Sequence, residues 1–341
     1  MKTIKIPAIT LSILVLVSGF TEAKAPVGIV IHGGAGTIER SQMSAEQQQQ
    51  YEATLTDAVN KGYQLLAAGG TSLDAVIAAV TLLEDSPLFN AGKGAVYTWD
   101  ETHELDAAIM TGQDRKAGAV ASVSNVKNPI LLARAVMEHS EHVMLTGKGA
   151  EQFADTQQLE LVENSYFNTE FRYEALKRAK QAKQALPHQA AVLTDPNWKM
   201  GTVGAVAIDS QGNLAAATST GGMTAKRWGR IGDVPVIGAG NFADNSSCAV
   251  SGTGHGEYFI RYNVASDICA RVKYQGKTAA TAAGEVMREL LAVGGTGGVI
   301  VVDPKGELSW AFNTPGMYRA KRNAAGTVVE IFGNQNEKTS N

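Results

Sequence analysis

Apolar and polar positions follow two different rhythms along this chain, and the change of rhythm divides it. APVGIVIHGGAG (Ala25–Gly36) reads as a strand that ends in glycines, and QQQQYEATLTDAVNKGYQLLAAGG as a helix closed by Gly69 and Gly70. A second helix follows at once in TSLDAVIAAVTLLEDSP. Thr71 or Ser72 can cap its start, Asp74 suits the first turn, and Val76, Ala79, Val80 and Leu83 recur at the spacing of a buried face. Residues Thr102 to Val123 predict short strands joined by turns, and NPILLARAVMEHS predicts a further helix. From Asn168 to about Leu186 the chain is helical and charged, and it then loses its pattern in PHQAAVLTDPNWKM, the best internal boundary.

Beyond that boundary the texture is β. GTVGAVAIDSQGNLAAATST (Gly201–Thr220) is two apolar runs around Ser210-Gln211-Gly212, a short loop with glycine where a left-handed residue is wanted, which is a hairpin signal. GGVIVVDPKGELSWAFNT repeats the device. If Asp209 pairs with Asn213, facing residues have numbers summing to 422, so Thr202 lies opposite Thr220. Facing pairs sit about 5 Å apart at Cβ, and a second hydroxyl is thereby brought beside the first. Hairpins mixed with helices, without strict βαβ alternation, argue for antiparallel sheets covered by helices, not a doubly wound parallel sheet.

The ends and the composition narrow the setting. Lys2 and Lys5 precede an apolar run from Ile6 to Phe20 and then small residues, the order of a secretory signal over residues 1–25, cut after Ala25 or Ala23. That run is too short to cross a bilayer, which takes about 20 such residues. The expected location is therefore exported, periplasmic or secreted, with no membrane anchor. The remainder suffices for one large domain or two modest ones. A net charge of -3, with no basic cluster interleaved with aromatics, argues against nucleic acid and for a small substrate. Cys248 and Cys269 sit in apolar runs and read as small core filler more readily than as a disulfide. The six histidines show no metal-ligand spacing, so no catalytic metal is indicated.

The chemistry centres on Gly201-Thr202. A threonine hydroxyl needs a base, and no Ser/His/Asp set or histidine near Thr202 is visible in the sequence. Its own α-amine, titrating at about 7.7 to 8, would serve, but it exists only once the bond before Thr202 is broken. Gly201 lets the hydroxyl approach the preceding carbonyl and tolerates a strained peptide. The bland alternative is a β-branched residue opening a strand. Gly295-Thr296 is the same dipeptide, yet it follows a helix end and no pattern-free loop.

Six motifs, in order, resemble the plant-type asparaginase and isoaspartyl peptidase family of N-terminal nucleophile hydrolases: IVIHGGAG (Ile29–Gly36), LEDSPLFNAGKGAVYT (Leu83–Thr98), HELDAAIM (His103–Met110), GTVGAVAIDSQGNLAAATSTGG (Gly201–Gly222), GRIGDVPVIGAG (Gly229–Gly240) and SGTGHGE (Ser251–Glu257). The resemblance spans nearly everything after the signal. It implies an α+β fold, a four-layer αββα sandwich with antiparallel-rich sheets, made as one precursor that cuts itself between Gly201 and Thr202. An α subunit of residues 26–201 and a β subunit of residues 202–341 would result. The implied activity is release of L-aspartate from β-aspartyl dipeptides and of ammonia from L-asparagine through an acyl-enzyme on Thr202.

By motif, Thr202 would be the nucleophile and Thr220 the hydroxyl that orients it. Arg230 would grip the substrate α-carboxylate, Asp233 would take the α-ammonium, and Gly256 would line that subsite. The Thr253 hydroxyl and the Gly254 amide would form the oxyanion hole, Asn90 would support the site from the α subunit, and His32 to Gly36 would line it. The segment after the second helix resembles the family's sodium loop, with carbonyls of Leu83, Glu84, Ser86, Phe89, Ala91 and Lys93 as ligands of a structural ion. Lys93 fits only if its side chain points away. The family precedent also implies a dimer of αβ units. Two alternatives stand beside this reading: N4-(β-N-acetylglucosaminyl)-L-asparaginase, and a nucleotide- or sugar-phosphate-binding module cradling phosphate in HGGAG or SGTGHGE. Neither glycine stretch matches G-x-x-x-x-G-K-[ST].

Overall fold

The structure, a computed structural model, describes residues 25–185 and 201–333. The proposed signal up to Lys24, the polar stretch PHQAAVLTDPNWKM and the last eight residues lie outside the described residues. In chain order the strands and helices are β1 (Gly28–Gly36), α1 (Ala45–Ala67), α2 (Ser72–Asp85), β2 (Leu105–Thr111), β3 (Ala117–Val123), α3 (Pro129–His139), β4 (Met144–Thr146), α4 (Gly147–Thr156) and α5 (Glu170–Ala185). After the boundary come β5 (Val203–Ile208), β6 (Leu214–Thr220), β7 (Asn241–Asp244), β8 (Cys248–Gly254), α6 (Gly256–Tyr262), α7 (Val264–Gln275), α8 (Ala279–Ala292), β9 (Gly297–Val302), β10 (Leu308–Phe312), β11 (Gly316–Asn323) and β12 (Gly326–Phe332).

Local chemistry explains most of these limits. Helix α1 starts two residues before the predicted Gln47, because Ser44 and Gln47 close a reciprocal capping box, with bonds of 3.1 Å and 3.0 Å to each other's backbone. Thr71 caps α2 by accepting from Asp74 N at 3.1 Å, and Val76, Ala79, Val80 and Leu83 are all buried, as their spacing predicts. The β5–β6 hairpin has the predicted register: Val203 faces Ser219, Ile208 faces Leu214, and Asp209 N donates to Asn213 O at 3.1 Å. The β9–β10 hairpin closes the same way, with Val302 facing Leu308.

Among the described residues the strands form an eight-stranded sheet in the order β12-β11-β1-β5-β6-β2-β3-β4 and a four-stranded sheet in the order β10-β9-β8-β7. Only the short β3–β4 pair of strands runs parallel, so the expected antiparallel-rich α+β class holds. Helices α1, α2 and α3 lie against the large sheet, α7 and α8 against the small one, and β1, β5 and β6 meet β8 and β9 across the gap between the sheets. The period of two sorts the strand residues between two cores. Ile29, Ile31, Val203, Ala205 and Ala217 join the cluster that includes α1 and α2, while Val30, Val206, Ile208 and Ala216 join the one that includes β8, α7 and α8. Both faces of the central strands are therefore apolar, at roughly 1.5–3 kcal/mol for each large aliphatic side chain withdrawn from water.

One expectation is corrected. Cys248 and Cys269 are joined in a disulfide and are not free core filler. The strand period turns Cys248 toward the helix side of β8, α7 presents Cys269 to it, and the Cα atoms are 5.3 Å apart, within bridging range. A separation of 21 residues in sequence carries no trace of that approach. No helix among the described residues is long and apolar enough to cross a membrane.

Candidate active site

Even-numbered residues of β5 and β6 face the gap between the sheets, and the hairpin register carries that face to its end at Thr202 and Thr220. Thr202 Oγ1 donates to Thr220 Oγ1 at 3.1 Å, and Gly222 N donates to the same acceptor at 3.0 Å. The peptide just before Thr202 is gripped from two sides. Asn90 N donates to the Gly201 carbonyl at 2.9 Å. Gly201 has φ of +127°, and a Cβ on it would stand 2.4 Å from Asn90 Cβ. On the opposite side, a Cβ on Gly34 would stand 2.6 Å from Gly201 Cα. Both positions demand glycine because backbone meets backbone there. Asn90 is itself fixed, its Nδ2 donating to Gly222 O at 2.7 Å and its Oδ1 accepting from Val96 N at 2.9 Å.

The opposite wall comes from the small sheet and the loop before it. On β8, Ser251 faces the large sheet, and two residues on Thr253 points the same way by the strand period. Among the described residues the buried Thr253 hydroxyl has no hydrogen-bond partner, and neither has Asp233 Oδ2. Burial pushes the Asp233 carboxyl up to about 7, with Arg230 opposing the shift. Arg230 uses Nε and Nη2 to clamp Glu257 at 3.0 Å and 3.1 Å, a clamp in which Nη1 takes no part. Glu257 also meets His255 Nε2 at 3.2 Å. Burial pushes the Glu257 carboxyl up, but His255 and Arg230 outweigh burial and hold it well below the ordinary range. Gly256 closes the cradle: a Cβ there would lie 2.8 Å from Asp233 Oδ1 and 2.9 Å from Arg230 Nη2. The structure thus gathers Thr202, Thr220 and Asn90 into one group and Arg230, Asp233 and Gly256 into another. Among the described residues no hydrogen bond joins Thr253, Arg230 or Asp233 to the Thr202 hydroxyl.

Two neighbours, Asp106 and Glu257, had no role in the sequence reading, and a third, His32, was expected only to line the site. His32 places Nδ1 2.9 Å from the Thr202 carbonyl and Nε2 2.9 Å from Ser251 Oγ. Neither nitrogen reaches the hydroxyl, and burial drops the imidazole to about 3, against the pull of the Thr202 carbonyl. A histidine is therefore near the threonine after all, 170 residues away in sequence, but not as a base for its hydroxyl. Asp106, from HELDAAIM, is the cross-strand partner of Thr220. It is fully buried, and burial raises its pKa against the nearby Lys226. Glu257 entered the sequence reading only as the last residue of SGTGHGE. Its i+1 position after Gly256 carried no sign that it would meet Arg230.

A profile of the asparaginase family matches residues 24–330. The chain belongs to the asparaginase family. This family member is 55% identical over 294 residues to a protein named "Isoaspartyl peptidase" from Escherichia coli (strain K12), covering 86% of this chain and 91% of the relative. It is 49% identical over 318 residues to "Putative isoaspartyl peptidase/L-asparaginase" from Dictyostelium discoideum, covering 85% and 92% of the two chains. With "Isoaspartyl peptidase/L-asparaginase" from Xenopus laevis the identity is 41% over 313 residues, covering 91% and 97%.

In this asparaginase-family chain the segment after α2 folds back on itself. A Cβ on Gly92 would meet the Glu84 carbonyl at 2.3 Å, and one on Gly94 would meet the Phe89 carbonyl at 2.0 Å. Buried Arg172 holds the segment from α5 by donating Nε to Gly94 O at 2.9 Å and Nη2 to Leu88 O at 3.5 Å, neither of them a predicted ion ligand. The Leu83 carbonyl accepts from Ser86 N and the Ala91 carbonyl from Gly94 N. Lys93 sends its ammonium over the Tyr166 ring, 5.4 Å from the centroid, clear of its own backbone. The Glu84 side chain turns inward, where its Oε1 accepts from Ser219 Oγ at 2.6 Å and from Ile130 N at 3.1 Å. Among the described residues no group of three or more His, Cys, Asp or Glu side chains is placed to hold a metal.

Proposed function

We propose that this chain is a self-cleaving threonine amidohydrolase that releases L-aspartate from β-aspartyl dipeptides and ammonia from L-asparagine. The observation that carries the reading is the arrangement at Gly201-Thr202. A hydroxyl is oriented by a second hydroxyl at 3.1 Å, and the preceding carbonyl is polarised by Asn90 N–H at 2.9 Å. In the uncut chain, Thr202 Oγ attacks the Gly201 carbonyl carbon, and the Asn90 amide stabilises the oxygen that becomes negative. The C–N bond breaks as the acyl group moves to Oγ, and water hydrolyses the ester to a Gly201 carboxylate and a free Thr202 α-amine. Residues 26–201 and 202–341 would then be the two subunits.

That amine accepts the Thr202 hydroxyl proton in the second reaction. The oxygen attacks the side-chain carbonyl of the β-aspartyl group, and the Thr253 hydroxyl and Gly254 amide receive the developing charge. The leaving amine or ammonia takes the proton, and water releases L-aspartate. Substrate orientation falls to the Nη1 edge of Arg230, for the α-carboxylate, and to Asp233, for the α-ammonium.

The same reading extends to the surroundings. The packing of helices on both sheets supports a four-layer αββα sandwich of the N-terminal nucleophile type. Carbonyls of Leu83, Glu84, Ser86, Phe89, Ala91 and Lys93 would hold a structural sodium ion, which suits a hard cation and oxygen donors. The fold-back of that segment and the turned-away Lys93 ammonium support it. Export is supported by the residue order of the first 25 positions and by the disulfide, which suits an oxidising compartment. A dimer of αβ units is inferred from family membership.

The test is N-terminal sequencing of the purified protein together with hydrolysis of β-Asp-Leu and α-Asp-Leu. Two fragments are expected, the smaller beginning at Thr202, with turnover of the β-linked isomer only. The α-linked isomer has its α-carboxyl consumed in the peptide bond and leaves the Arg230 edge without its charge partner. An intact active chain, or equal rates on the two isomers, would overturn the proposal.

A further inference from the structure

The buried polar residues behind Thr202 form a single chain whose proton positions follow from chemistry alone. The Thr202 carbonyl can only accept, so the His32 Nδ1 that meets it at 2.9 Å carries a hydrogen. A neutral imidazole with its proton on Nδ1 has a bare Nε2, so the Ser251 hydroxyl at 2.9 Å must donate to it. Ser251 has one hydrogen, and it is now used. The 2.7 Å contact between Ser251 Oγ and Thr218 Oγ1 therefore runs from Thr218 to Ser251, in preference to the longer 3.4 Å approach of Thr218 Oγ1 to Gly240 O. Thr218 Oγ1 in turn accepts from Asn241 Nδ2 at 3.0 Å. All four side chains are fully buried. They come from four strands: β1, β8, β6 and β7.

We infer that His32, its tautomer fixed by Ser251, Thr218 and Asn241, is a positioning residue that holds the main chain of the Thr202 nucleophile. This role rests on the proposed function of Thr202. Before the cut, the Gly201 carbonyl is held by Asn90 and the Thr202 carbonyl by His32, so the reacting peptide is tied down on both sides. After the cut, the Asn90 tie is lost to the new carboxylate, and the Thr202 carbonyl remains pinned. Fixing that carbonyl fixes the rotation about the Cα–C bond, and with it the direction in which the α-amine and the hydroxyl leave the strand. The burial that keeps the imidazole neutral removes any competing role as an acid or base on the hydroxyl. Reversing the tautomer would leave the Thr202 carbonyl facing a bare nitrogen.

Two near-isosteres separate this role from simple core filling. In Asn, the side-chain amide nitrogen can occupy the position of Nδ1 and still donate to Thr202 O. In Gln, the amide reaches the position of Nε2 and serves Ser251 instead. With β-Asp-Leu, His32→Asn is expected to keep kcat within about tenfold of wild type. His32→Gln is expected to lose about 100-fold, the scale of a 1 Å misplacement of a reacting group. KM should stay unchanged in both, because the Arg230 and Asp233 subsite is untouched. Equal losses in the two variants, or better function in the Gln variant, which fills more of the space, would overturn the inference.

A second measurement needs no turnover. In the uncut Thr202→Ala protein, two-bond ¹⁵N–¹H spectra should show His32 as the Nδ1–H tautomer, unchanged from pH 8 to pH 5. Ser251→Ala, which leaves His32 in place, should keep Nδ1–H as the major form, because the Thr202 carbonyl still demands a donor, and raise the Nε2–H fraction. An Nε2–H imidazole in the otherwise unaltered chain would overturn the inference even if both His32 variants failed to fold. A wild type that is cut and active while the tautomer is wrong would leave the function of Thr202 standing and remove only the role of His32. A wild type inactive on β-Asp-Leu would remove both.

Discussion

Replacing Gly201 by Ala should leave the protein folded and uncut. A Cβ at this position would lie 2.4 Å from Asn90 Cβ and 2.7 Å from Asn90 N. Carbon atoms in contact prefer about 3.5–4.0 Å, so the peptide has to retreat by roughly 1 Å. That movement pulls the Gly201 carbonyl away from the Asn90 amide, now 2.9 Å distant. Loss of one oxyanion donor costs about 10²–10³ in rate, or roughly 3–4 kcal/mol of transition-state stabilisation. The φ of +127° adds strain for any L side chain, about 1–2 kcal/mol. Self-cleavage should therefore slow by at least about 100-fold. The assay is a time course of intact chain by denaturing gel and intact mass, with thermal unfolding measured alongside. Gly212→Ala is the control: φ there is +82°, yet the nearest atom to an added Cβ is Ala25 Cβ at 3.8 Å. It shares the backbone strain without the collision and should be cut at the normal rate. A folded Gly201→Ala protein that is cut as fast as wild type would refute the role of the Asn90 contact.

Thr220→Val removes the acceptor for both the Thr202 hydroxyl and Gly222 N, so cleavage and turnover should each fall by about 100-fold. The stranded Gly222 amide should cost about 1–3 kcal/mol in thermal or denaturant unfolding, and unchanged kinetics would show that the hydroxyl pairing does not matter. Asp233 must be ionised to hold an ammonium, and its carboxyl sits at about 7. Below that pH, binding has to displace a proton, so KM for β-Asp-Leu should rise by about tenfold per unit of pH and be flat above pH 8; a flat KM from pH 8 to pH 6 would exclude Asp233 as the ammonium site. Burial raises Glu84 from the ordinary 4.5 to about 8, with Ser219 opposing the shift. A raised folded value means that the stability linked to this proton is complete below pH 4.5 and is lost as pH rises through 8. Glu84→Gln cannot lose a proton, so its unfolding midpoint should gain on that of wild type from pH 5 to pH 8, and parallel curves would contradict a buried neutral Glu84.

The sequence by itself determined whatever depends on neighbours along the chain. The spacing of Val76, Ala79, Val80 and Leu83 named the buried face of α2. The loop at Ser210-Gln211-Gly212 set the hairpin register, and with it the opposition of Thr202 and Thr220. Both follow from periodicity and turn geometry, which need no knowledge of the rest of the molecule. Glycines at 34 and 201 were visible as motif letters, but only the packed structure shows that they are glycine because they touch each other and Asn90. The pairing of Arg230 with Glu257, the disulfide between β8 and α7, and the line from Asn241 through Thr218, Ser251 and His32 to the Thr202 carbonyl were not legible. Each of these joins side chains whose meeting depends on how the two sheets stack and how the helices lie on them. Stacking is set by the fit of the two buried cores as wholes, and no short window of residues contains that information.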